Sequence, residues 1–147
     1  MKKRLLILFV ALFLSACADK NQYEATVLAE MQKEQDIKDY KLDPQIMTDC
    51  VIDLTSQKMS GFFAFDPARM TAYRNYNTML TLTQSENPKE VLAQLTKDFG
   101  SGKELFKARV IYSESIGHCL ASVIATSEEQ QQEDEEDLQE APAADNS

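Results

Sequence analysis

Three of the chain's four prolines stand directly behind an aspartate or asparagine, as Asp43-Pro44, Asp66-Pro67 and Asn87-Pro88. Proline at the first helical position loses nothing there, since its fixed φ suits the helix and an N–H at that place would have no intrahelical partner. The preceding Asp or Asn side chain accepts from the free amides of the first turn. Ser101 with Glu104 marks a fourth start as a capping box, and Asn87 with Glu90 repeats that pattern. Leu42 with Met47, and Phe65 with Met70, have the spacing of hydrophobic staples. Gly61 and Gly100 fall where left-handed C-caps would close the first and third of these helices.

Between these marks the apolar residues keep helical period. They are Met47, Cys50, Val51 and Leu54; then Met70, Tyr73, Tyr76 and Leu80; then Val91, Leu92, Leu95 and Phe99. The last and longest run carries Leu105, Tyr112, Ile116, Cys119, Leu120 and Val123. The expected fold is all-α, a small four-helix bundle over about 44–60, 67–83, 88–99 and 102–125. An amphipathic helix over about 20–40 precedes it, with Tyr23, Val27, Leu28 and Met31 as a narrow apolar stripe. That helix reads as a stalk which either packs on the bundle or stays loosely attached. Ser113, Gly117 and Ala121 recur every fourth residue, and a tight internal helix crossing is the expectation for them, ahead of a dimer seam.

The N-terminus has a basic stretch (Lys2, Lys3, Arg4), an apolar run from Leu5 to Leu14 and then small residues, which is the plan of a secretory signal. The run is shorter than the roughly 20 residues of a spanning helix. Leu14-Ser15-Ala16-Cys17 resembles the lipobox of bacterial lipoproteins. That resemblance implies cleavage after Ala16 and acylation of Cys17, with two or three acyl chains giving a stable anchor. Ala18, rather than an aspartate, follows the cysteine, which implies sorting to the outer membrane and a periplasm-facing domain. The resulting division is a signal peptide at 1–16, lipid anchor and stalk at 17–42, helical domain at 43–126 and acidic tail at 127–147.

With Cys17 acylated, Cys50 and Cys119 remain in a chain exported to an oxidising compartment, and an even pair points to one disulfide. The alternatives are two inert buried thiols, or a reactive thiol beside His118. Neighbours on a helix point about 100° apart, which disfavours the last. Both cysteines lie on apolar faces, so a bridge would staple the first core helix to the last. Closing a loop of about 70 residues is worth roughly 4 kcal/mol in the chain-entropy picture.

The formal charge of −9 (15 Lys and Arg, 24 Asp and Glu) argues against nucleic acid as a partner, yet it is local. Residues 127–147 hold nine acids and no base, and are expected to be a disordered, solvating tail. One histidine and four glycines leave no material for a histidine metal triad or Gly-rich phosphate cradle, and the usual catalytic signatures are missing. Asp49 and Asp53, one turn apart, read as a solvated edge, as do Glu114 and His118. No catalysis, cofactor or metal is expected. The sequence Ser60-Gly61-Phe62-Phe63-Ala64-Phe65 reads first as a plug over the bundle end, with Phe62 or Phe63 becoming a partner anchor if left exposed. The expected function is therefore a membrane-anchored binding, adaptor or assembly module with an envelope protein partner, the alternative being a structural surface lipoprotein. The general plan, an acylated cysteine, a compact helical domain and a disulfide, is similar to that of pilotins. That likeness implies a secretion-assembly or chaperone-like role.

Overall fold

In the computed structural model residues 18–63 and 66–140 are described, with side chains to residue 128. The leader, Cys17, Phe65 of the second staple and the last seven residues of the tail lie outside the described residues. Among those described there are helices and turns and no strand. They run in the order α1 (18–31), α2 (Gln35–Asp39), α3 (Pro44–Lys58), α4 (Pro67–Leu80), a 3-10 turn (Leu82–Gln84), α5 (Pro88–Asp98) and α6 (Gly102–Glu140).

The helix starts follow the proline positions. Asp43 accepts from the Gln45 amide at 2.7 Å and Asp66 from the Ala68 amide at 2.9 Å. Leu42 and Met47 are both buried, as a staple requires. Ser101 accepts from the Glu104 amide at 3.2 Å. Asn87 departs from the expected box: its side chain makes no cap bond, and its own N–H donates to Ser85 Oγ at 3.2 Å. Its backbone carbonyl still accepts from the amides of Glu90 and Val91, so Pro88 and the backbone alone start α5.

A few contacts fix the direction of every helix. The Tyr23 and Thr55 hydroxyls bond at 2.8 Å, while Leu28 and Thr48 line one small cleft, so α1 runs antiparallel to α3. Asp19 bonds Arg74, and Thr26 donates to Asn77 at 2.6 Å, so α1 runs with α4. A disulfide joins Cys50 to Cys119 with Cα atoms 5.9 Å apart, and Lys58 shares a cleft with Ala108, so α6 runs antiparallel to α3. α5 returns along α4, bringing Phe99 within 5.7 Å of the Tyr76 ring. The start of α1, the 59–66 loop and the 99–101 turn therefore share one end of the bundle, the near end. The segment around α2, the 81–87 connection and the C-terminal part of α6 occupy the far end.

The bundle has five long helices, because α1 belongs to it. Tyr23, Val27 and Met31 are completely buried, and the Tyr23 ring stacks on Tyr73 at 5.6 Å and meets Tyr76 edge-on at 6.1 Å. Of the two placements open to the 20–40 helix, packing is the one realised, and the helix is broken at 32–34. Its partners α3 and α4 have 15 and 14 residues, so an unbroken helix to residue 40 would overshoot them; breaking lets Ile37 and Leu42 fold over the far end of the core. Burial pushes the Tyr76 hydroxyl up to about 12 and raises Tyr23 and Tyr112 as well, so all three enter the core neutral. Tyr112 Oη is buried with no hydrogen-bond partner.

Two further expectations are corrected. The α6 backbone is helical to Glu140, past the expected end of that helix at about residue 125. No proline or glycine lies between Gly117 and Pro142, and Glu and Gln are good helix formers, so the packed part of α6 acts as a nucleus and each added residue costs little. The second concerns Ser113, Gly117 and Ala121, which face solvent instead of an internal crossing. The buried face of α6 is set by Leu105, Ala108, Tyr112, Ser115 and Cys119, and Ser113 lies about 100° round from Tyr112. The expected ends of α3 and α4 also shorten slightly, to Lys58 and Leu80, the latter giving way to the 3-10 turn.

Candidate functional site: a groove and an aromatic loop at the near end

Small side chains on α4 and the early stop of α5 leave a space unfilled. Ala68, Thr71 and Ala72 present little volume, and α5 ends at Asp98 beside Asn75, whose Nδ2 donates to the Asp98 carbonyl at 3.5 Å. Between the first half of α4 and the first turns of α6 there is consequently a cleft of about 490 Å³. Its apolar lining comes from Met59, Ala72, Tyr76, Phe99, Ala108 and Ile111. Lys58, Asp98, Glu104 and Lys107 bring charge to it, both signs being present. That composition suits an apolar segment with polar flanks better than a small charged ligand. A second, smaller cleft of about 260 Å³ lies between α1 and α3, beside Leu28, Thr48 and Ile52.

Gly61 and Phe62, at the mouth of the larger cleft, are tied to the start of α4 by side-chain-to-backbone bonds. The Arg69 guanidinium donates from Nη2 to the Gly61 carbonyl at 2.6 Å and from Nη1 to the Ser56 carbonyl, which also accepts from the Met59 amide at 3.2 Å where α3 ends. Gly61 takes φ +94°, and a Cβ there would lie 2.7 Å from the Arg69 amide nitrogen, so glycine is required by space as well as by dihedral. Asp66 accepts from the Phe62 amide at 3.0 Å as well as from Ala68, and these two N–H groups hold its carboxyl below the usual carboxylate range.

That fixed loop turns two aromatic rings outward. Phe62 is 99 % exposed and Phe63 62 % exposed, so the expected plug is not formed by either. The core end they would have covered is filled by Met59 and Met70, both buried. Phe106, on the first turns of α6, is 68 % exposed and was not singled out by sequence; it adjoins buried Leu105, and which of the two faces outward depends on the face of α6 that is covered. The structure thus gathers Phe62, Phe63 and Phe106 at the near end, and puts the disulfide in the body of the bundle, with Cys119 completely buried.

Other polar and aromatic side chains serve the fold. Tyr73 and Tyr76 are core residues, and Asn77 is buried on the Thr26 hydroxyl. Asp49 and Asp53 are exposed and accept from the side-chain amides of Gln45 and Gln57 one turn away. Glu114 and His118 are both exposed. Among the described residues no three His, Cys, Asp or Glu side chains converge as a metal site would need, and no helix is long and apolar enough to cross a membrane. In comparison with known proteins, the chain matches no family model, no curated protein and no solved structure.

Proposed function

We propose that this chain is a lipid-anchored protein of the bacterial outer membrane that faces the periplasm and acts without catalysis, as a binding or assembly module for an envelope protein. The observation that carries the reading is the unfilled, apolar-lined cleft between α4 and α6. The cleft is an open surface groove, with Ala68 exposed and Ala72 half-buried, so larger side chains at either position would narrow it without disturbing the core. Held open, it offers a partner helix or extended segment an apolar seat with charge of both signs at its edges. Lipidation at Cys17 rests on the lipobox, and export of the chain agrees with a Cys50–Cys119 disulfide.

In-cell photocrosslinking from Thr71 or Lys107, both at the cleft, tests this. The expected outcome is one dominant envelope-protein adduct, lost when Ala72→Trp fills the cleft and absent when the crosslinker sits at Ile46 on the far half of α3. Adducts that ignore Ala72→Trp, or that form equally from Ile46, would remove the cleft from any binding role.

A further inference from the structure

The near end of the bundle faces the bilayer, and Phe62 and Phe63 dip into its headgroup region: the geometry points to this as a second membrane contact beside the acyl chains, and it rests on the lipidation reading of Cys17. The first observation is the length of the tether. Ala18 is already helical, and Asp19 is fixed to α4 by two bonds from Arg74, at 2.6 Å from Nη2 and 3.2 Å from Nε. Two residue steps separate Cys17 from Asp19, so the Cys17 Cα lies within about 7 Å of that clamp even if fully extended. The bundle is roughly 22 Å tall along α3. A cysteine whose acyl chains sit in lipid therefore brings the end that carries it against the headgroups and leaves the far end in water.

The second observation is what else that end carries. Tyr23 is bonded to Thr55, and from there α1 runs back five residues to Ala18 while α3 runs on four to Met59, where the aromatic loop begins. The loop and the lipid-bearing residue consequently come out at the same level. Of the six exposed large apolar side chains, the three phenylalanines (62, 63 and 106) are at this end and include the most exposed of all, while Tyr40, Ile46 and Leu92 lie toward the other. Exposed Lys58, Lys103 and Lys107 accompany them, with exposed Asp98 and Glu104 beside them, so the aromatic patch has a rim of mixed charge. The third observation is the opposite pole. α6 leaves the near end at Gly102 and runs away from it, so its acidic stretch from residue 128 is carried to the far side, where anionic lipid does not oppose it. Assigning Phe62 and Phe63 to lipid leaves the α4–α6 cleft for the protein partner.

The chain contains no tryptophan, so Phe62→Trp, Phe63→Trp or the far-half control Ile46→Trp each places a single indole in the molecule. The acylated mature protein is reconstituted in phosphatidylethanolamine–phosphatidylglycerol vesicles containing lipids brominated near the carbonyl end of the chain. Tryptophan at 62 and 63 is expected to shift to the blue and to be quenched at least about twofold more than at 46, the depth of an interfacial side chain being roughly 5–10 Å. Equal quenching at all three positions, with acylation of Cys17 confirmed by mass spectrometry, overturns the orientation and leaves the lipoprotein reading standing. Shielding of position 62 that appears only with an added protein partner, and not with lipid, overturns it in favour of a protein contact. A free Cys17 in the mature protein removes both readings together.

Discussion

Gly61, Gly100 and Gly117 share a residue type and do three different jobs, which makes them a graded test of the backbone. Gly61 and Gly100 have φ of +94° and +89°, but a side chain at Gly61 would collide with the Arg69 backbone while one at Gly100 would meet nothing within 4 Å. Gly61→Ala is expected to destabilise by about 2–3 kcal/mol, and Gly100→Ala by about 1 kcal/mol from the left-handed conformation alone. Gly117 is in the open middle of α6, and Gly117→Ala should stabilise by about 0.5–1 kcal/mol. Urea unfolding of the three variants checks the order. Two tyrosines make a second contrast. Tyr23→Phe removes a buried bond to Thr55 and should cost about 1 kcal/mol, whereas Tyr112→Phe removes a buried hydroxyl that has no partner and should be neutral or stabilising by the same measurement. None of these differences shows in the letters. Four of the five tyrosines are in the core, and only their surroundings separate them.

At the scale of elements, the starts were legible because capping is local. Asp43, Asp66 and Ser101 meet amides two or three residues away, so sequence spacing is sufficient to place them. Asn87 failed the same test because its backbone takes φ −126° and ψ 69°, a choice made by the 81–87 connection and not by its neighbours. Asp66 carries a pH prediction. Its carboxyl is held below the ordinary range in the folded chain, so the unfolded chain binds more protons through the window beneath about pH 4. The stability it adds is complete above that value and is lost as pH falls through its lower folded pKa. Asp66→Asn should flatten this acid limb in melting curves taken between pH 2 and 5. α6 supplies a second test at this scale. Cys50 meets Cys119, so α3 begins at Pro44 opposite about residue 125, and beyond that level α6 has no α3 to lie on. Deleting residues 127–147 is expected to change unfolding free energy by less than about 0.5 kcal/mol while lowering the helical circular dichroism by about fourteen residues' worth.

Taken whole, the described part of the molecule is a five-helix bundle in which a disulfide cross-links α3 to α6. The Cys50–Cys119 bond closes a separation of 69 residues, and reduction is expected to lower unfolding free energy by about 4 kcal/mol in the chain-entropy picture, read from urea curves with and without reductant. Because α1 adds completely buried Tyr23, Val27 and Met31, the reduced protein keeps a larger core than four helices would give, and a folded, weakened state is the expected result. The sequence by itself determined that the chain is helical and where four of its helices start, at Pro44, Pro67, Pro88 and Gly102, because caps, prolines and apolar period act over three or four residues. Only the tertiary structure decided that α1 is a core helix, that Phe62 and Phe63 point outward, that the Ser113–Gly117–Ala121 face is bare and that a cleft stays open between α4 and α6. Each of those depends on whether another helix happens to be long enough, or near enough, to cover the surface in question, and no spacing within one segment records the length of its neighbour.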